Sequence, residues 1–263
     1  MRNISVLALY LYLLTAVCAH AQDDRKQANE TTRKRVEALI EQLASRNTAP
    51  PVKGDAREGD DQTIRFPATY DRTLQTPVFC AYKALLAEDE AAIDILIEHA
   101  GDQRYSYSVN TYADYNVSVG DACSKIASAM IIGFENELDV ISRSQFGVFP
   151  TGDPFDKSDP LPSVVRYWKR NNELGLAKIQ ILAIDATLTY FRNANGEAEP
   201  PWHPEAARLE LSEFNRRREA NIRTLTAIRK YVSETGRRYK TTQIDGSHDC
   251  MFGLPWAGRR FNL

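Results

Sequence analysis

Histidine, cysteine and methionine are scarce in this chain: four, four and three among 263 residues. The sequence contains no CxxC pair and no His-x-x-x-His spacing, so a structural zinc site has no ligand pattern to rest on. No motif calls for a cofactor. Long apolar runs are absent once the first seventeen residues are passed. Charges recur throughout, and no later segment approaches the roughly 20 apolar residues that a membrane span requires. Neither sign of charge dominates, with 33 Lys+Arg against 35 Asp+Glu. That balance argues against a generic binder of polyanions. Basic stretches interleaved with stacking aromatics are also missing, which argues against nucleic acid as a partner.

The one apolar run sits at the start. Arg2 is the only charge before Asp23, Ile4 to Val17 is almost wholly apolar, and Ala19-His20-Ala21 follows. A charged start, a short apolar core and an A-x-A end are the parts of a secretory signal. Residues 1–21 are therefore expected to be a cleaved signal, and the mature chain to be exported to a periplasm or the medium. Without Arg2 the mature part has a net charge of −3. Three cysteines remain, Cys80, Cys123 and Cys250. An odd number leaves at least one thiol unpaired. Cys80 and Cys123 fall on predicted helices beside apolar residues. They are either small buried hydrophobes or a Cys80–Cys123 disulfide.

Hydrophobic spacing predicts a mainly α-helical fold. Val36, Leu39, Ile40 and Leu43 mark a first helix within 25–46. Residues 47–63, with Pro50, Pro51, Gly54 and Gly59, have linker composition. Residues 22–63 are thus expected to form an N-terminal helix on a flexible tether, set apart from a helical domain at 64–263. In that domain Thr76-Pro77 opens a helix that carries Val78, Ala81 and Leu85 inward. Asp89 caps the next, with Ile93, Leu96 and Ile97 on one face and Gly101 as its stop. Tyr105, Tyr107 and Val109 alternate with Ser106, Ser108 and Asn110, which predicts a short hairpin or an ordered loop. Ser118 with Asp121 forms a capping box ahead of Val119, Ala122, Ile126 and Met130. A Pro/Gly/Asp-rich loop spans 146–162. A helix with Val164, Val165 and Trp168 follows, broken near Asn171. Within 174–235 two long helices form a hairpin, the second stopped by Gly236. The tail at 237–263 shows no period; Phe252, Trp256 and Phe261 are expected to pack it.

The stretch VFCAYKALLAEDEAAIDILIEHAGDQR resembles the helix–turn–helix unit of a HEAT-type α-solenoid repeat. SVGDACSKIASAMI resembles the opening helix of the next unit, with Val119, Ala122 and Ile126 on its apolar positions. The resemblance covers about residues 77–132 and is interrupted by the Tyr-rich stretch. It implies a HEAT-like helical array or bundle that works as a binding scaffold, and it assigns no residue a role.

Several groups are candidates for function. Arg216, Arg223, Lys230 and Arg237 recur every seven residues along the last helix. Residues 204–263 hold 12 Lys+Arg and 7 Asp+Glu. Such a stripe is either the solvated side of an amphipathic helix or a face for an anionic partner, such as another envelope or extracellular protein or an acidic polymer. Tyr105, Tyr107, Tyr112 and Tyr115 form either an aromatic binding face or cover for adjacent helix ends. Asp153, Asp156 and Asp159 have an acidic spacing that lacks the glycine turn of a calcium loop. His203 precedes Pro204 as a cap.

The leading expectation is an exported, non-enzymatic helical binding or scaffold protein. An envelope hydrolase assembled around His99 or His248 is the alternative, the latter within His248-Asp249-Cys250. A structural surface protein is the third. The mature form, sequenced from its amino end, should begin at Gln22; retention of residues 1–21 would refute the export reading.

Overall fold

The computed structural model describes residues 29–51, 66–109, 115–138, 163–193 and 211–241. The predicted signal, the acidic spacing at Asp153, Asp156 and Asp159, His203, and the loop with His248 and Cys250 lie outside those residues. So do Tyr112, Phe252, Trp256 and Phe261.

The described chain is mainly α-helical with one two-stranded antiparallel hairpin. Helix α1 covers 29–43. Then come α2 (Gln75–Ala87), α3 (Ala91–Glu98), β1 (Tyr105–Val109), β2 (Tyr115–Ser118), α4 (Val119–Ile132), α5 (Ser163–Asn171), α6 (Leu176–Asn193) and α7 (Leu211–Thr235).

Helix α4 is the centre. Val119, Ala122, Cys123, Ile126, Ala127, Met130 and Ile131 are all fully buried. Those positions span about half of the circumference, wider than the roughly 100° stripe of a surface helix. On the other side Asp121 is exposed, and Lys125 and Ser128 are half-buried. Indeed α4 packs against α2, α3, α5, α6 and both strands. Its start is fixed three times over. Ser118 Oγ accepts from the Asp121 amide while the Asp121 carboxylate accepts from the Ser118 amide. The next two amides, of Val119 and Gly120, donate to the carbonyls of Arg104 and Asp102 at 2.8 Å each. Helix starts leave such amides without intrahelical partners, and here the turn after α3 supplies them. Gly120 is what permits the approach: a Cβ there would lie 2.3 Å from the Ala100 carbonyl oxygen.

The hairpin has a bulge. Tyr105 pairs with Ser118 but Tyr107 with Val117, so Ser106 is the extra residue. Both sides of β1 are then covered: Ser106, Tyr107 and Ser108 are all buried. The alternation seen in the sequence marks a strand, but not one with a wet face.

Helix α1 is not a tethered outlier. Val36, Ile40 and Leu43 are fully buried in the same core as α2–α6. Burial of each such side chain is worth about 1.5–3 kcal/mol. Beyond the helix, the Ser45 amide donates to the Tyr105 carbonyl, and Asn116 Nδ2 to the Pro50 carbonyl. The expected division at residue 64 is therefore overturned for α1 and for the described part of the linker, up to residue 51.

Two predicted helix signals shift. Asp71, not Thr76, caps the approach to α2: its carboxylate accepts from the Thr73 amide at the head of a 3-10 turn, Arg72–Leu74. Pro77 sits in the first turn, where its missing N–H costs nothing. Helix α3 starts at Ala91 and ends at His99 as its cap, without help from Gly101. Gly175, at φ 76°, separates α5 from α6, and Gly236, at φ 64°, ends α7.

Helices α6 and α7 run antiparallel, as expected. Asp185 meets Arg229, while five residues earlier Gln180 meets Tyr239. Leu225, Ile228 and Val232 form the buried seam of α7.

Gly120→Ala should lower the free energy of unfolding by about 1–3 kcal/mol, because backbone must move to admit the methyl group. Gly101→Ala, where a Cβ meets nothing within 4 Å, should change it by less than about 0.5 kcal/mol. Urea denaturation of both variants checks this.

Candidate functional site

Three polar assemblies stand out on this frame. The first surrounds the corner between α2 and α3, Glu88-Asp89-Glu90. Arg35 of α1 reaches Glu88 at 2.5 Å. The Glu90 carboxylate accepts from the Leu176 amide at the start of α6, where the positive helix end favours an acid. Residues 236–241 cross the same corner as a strap. Arg238 donates to the Leu86 and Glu88 carbonyls and Lys240 to the Ala87 carbonyl, so cations close the negative end of α2. The Tyr239 amide donates to Gln180 Oε1, and Gln180 Nε2 returns a bond to the Tyr239 carbonyl. Burial pushes the Arg238 guanidinium below its ordinary range.

The second assembly lies between α1, α2 and the hairpin. Tyr70 and Tyr105 share a hydroxyl contact of 3.1 Å, and Tyr105 meets Ser108 at 2.8 Å. Ser108 donates to Asn116, and Gln75 to Ser45. Burial raises both phenols above their ordinary range. Tyr105 is thus half-buried and engaged in this network, and Tyr107 lies wholly inside, edge-on to Tyr82. An aromatic face built on those two tyrosines is not what the fold presents. The Tyr115 side chain is outside the description.

The third is the outer side of α7. Arg216, Arg223 and Lys230 all face solvent, with side chains 66%, 71% and 72% exposed. Arg237 is exposed too, one residue beyond the helix. The predicted stripe therefore stands opposite the buried seam. Acids interrupt it. Arg216 is bound through two nitrogens to Glu213, whose carboxyl is held down to about 2 by Arg216 and Arg217. Arg223 and Lys230 are only loosely paired, at 4.0 Å from Glu219 and 3.8 Å from Glu234. Exposed pairs of this kind are worth about 0–1 kcal/mol and yield readily to a better partner.

His99 is half-buried at the end of α3, within electrostatic reach of Glu41, Glu98 and Asp102. Those carboxylates are engaged elsewhere. Arg33 bonds Glu98 at 2.7 Å, and Arg104 bonds Glu41 and Asp102 at 2.7 and 2.6 Å. Their geometry docks α1 onto the turn after α3. No group of three or more His, Cys, Asp or Glu side chains able to hold a metal ion occurs among the described residues. No helix there is long and apolar enough to cross a membrane.

Of the two readings for the cysteines, the Cys80–Cys123 disulfide is not formed, and burial holds for Cys123 but not for Cys80. Cys80 is an exposed thiol on α2 and Cys123 a buried one on α4. Period alone placed both beside apolar neighbours, but only Cys123 points inward.

Comparison with known proteins returns nothing: no family model matches the chain, and no curated protein or solved structure is similar to it.

Burial pushes the Cys123 thiol up to about 12 from an ordinary 9.0. The folded chain therefore holds that proton where the unfolded chain has lost it. Its contribution to stability is complete below about pH 9 and disappears as pH climbs towards 12. Cys123→Ala should flatten the decline in stability above pH 9. A thiol reagent at pH 8 should label Cys80 quickly and Cys123 only on unfolding.

Proposed function

We propose that this chain is an exported, non-enzymatic helical protein that binds an anionic partner outside the cytoplasm through the outer face of α7. One observation carries the reading: Arg216, Arg223 and Lys230 stand in a line, each more than half exposed, on a helix whose opposite side is buried against α6. From 211 to 241 the chain has nine Lys+Arg and three Glu. The rest of the mature chain is acidic, so charge of one sign is gathered on one element. A field of that kind concentrates and orients an oppositely charged partner.

The HEAT-type resemblance at about 77–132 supports the same class of function, since such arrays offer helical surfaces to other molecules. The composition of the first 21 residues supports export. The partner is then another envelope or extracellular protein with an acidic face, or an acidic polymer.

The test is capture from the native envelope fraction by the mature chain and by its Arg216→Glu/Arg223→Glu/Lys230→Glu variant. These side chains are exposed, so the fold should survive, as circular dichroism would verify. The variant should recover roughly tenfold less partner, and added salt should weaken capture by the unaltered chain. Equal recovery by the two proteins would refute the basic face.

A further inference from the structure

The carboxyl-terminal half of α7 carries a feature that charge alone does not explain. Among the described residues the large apolar side chains left exposed are Leu174 and Tyr231, and Tyr231 is 45% exposed. Tyr231 lies in the cationic region, next to Lys230, two turns beyond Arg223 and six residues before Arg237. One turn away on either side stand the short residues Ala227 and Thr235. The strap braces the ring: Tyr239 packs against it at 6.4 Å between centroids and 85° between planes. Gln180 holds Tyr239 by both its amide and its carbonyl, so the aromatic pair is fixed from behind.

A tyrosine held half in water presents a stiff, flat surface with a polar end. The C–H face of a sugar ring suits that surface. Carboxylates or sulfates on neighbouring rings of the same chain suit Lys230 and Arg223, which point about 80–100° around the helix from Tyr231. Glu234, one turn on, is paired to Lys230 at 3.8 Å. Arg223 and Lys230 are separated by about 10.5 Å along the helix. They do not converge on one point, so they suit successive charges of an extended chain better than a compact anion. An acidic protein face would need the cations but not the exposed ring.

We infer that the ligand is an acidic sugar chain, which stacks on Tyr231 and places its charges on Arg223, Lys230 and Arg237. The inference rests on the anionic-partner reading above and narrows it to one chemical class.

Calorimetric titration of the full mature chain separates the two levels. The probes are oligogalacturonate, a neutral gluco-oligosaccharide of equal length, and polyglutamate. Oligogalacturonate should bind at least roughly tenfold more tightly than the neutral sugar, and affinity should rise with chain length over the first few residues. Tyr231→Ala should cost roughly tenfold for oligogalacturonate and leave polyglutamate unchanged, while Tyr231→Phe should keep the binding. Lys230→Glu should weaken both acidic probes. Polyglutamate binding as tightly as the acidic sugar, or no effect of Tyr231→Ala, would overturn the sugar assignment and leave the anionic reading in place. Failure of both acidic probes, together with unchanged capture by the charge-reversed variant, would remove the anionic reading as well.

Discussion

A Cβ on residue 120 would sit 2.3 Å from the carbonyl oxygen of Ala100, and the rest of the fold is arranged around that closeness. With only hydrogen there, the first turn of α4 presses onto the turn that leaves α3. Its leading amides are satisfied by Arg104 and Asp102 instead of by water. The helix can then bury a broad apolar face in the core, with Asp121, Lys125 and Ser128 left on its outer side. The elements α2, α3, α5, α6 and the hairpin are placed by contact with it. Close packing makes such a junction intolerant: an added methyl group has no void to enter.

Charge fixes the outer elements onto this centre. The corner Glu88-Asp89-Glu90 receives Arg35 from α1, the amide that starts α6, and Arg238 with Lys240 from the strap. Segments from both ends of the described chain thus meet at one short acidic loop. Magnitudes separate the roles. The exposed ion pairs supply about 0–1 kcal/mol each, against about 1.5–3 kcal/mol for each core side chain of α1. Burial therefore holds α1, and the ion pairs set its orientation. Arg238 differs, because it is largely desolvated and its Nε finds no partner among the described residues. Seating it costs free energy, and the return is a strap that closes the negative end of α2 and braces Tyr239 behind Tyr231.

Much of the helical frame could be read from spacing. The seam Leu225/Ile228/Val232, the capping box at Ser118 and Asp121, the stop at Gly236 and the break after Asn171 are local signals, and local physics produces them. Contacts between distant residues left no comparable trace. The strap has no period because its bonds go to residues about 60 to 150 positions earlier, among them Gln180 and the end of α2. The tyrosines at 105 and 107 alternate as a half-wet strand would, yet α2 and α4 pack on the hairpin, leaving Tyr107 wholly inside and Tyr105 half-buried. Cys80 and Cys123 share a helical, apolar setting in the sequence but face opposite environments. Of the site, the stripe Arg216/Arg223/Lys230 was legible as a seven-residue repeat. Tyr231 was not, because its neighbour Val232 belongs to the seam and only the packed helix shows which of the two faces water.

Amide hydrogen exchange, resolved by peptide, tests the central claim that α4 is the element on which the other helices pack and depend. The slowest amides should be those of Ala122 to Met130, exchanging only through global unfolding, with the outer turns of α7 opening earlier. Exchange across α4 as fast as across α7, while α2 or α6 stayed protected, would contradict it.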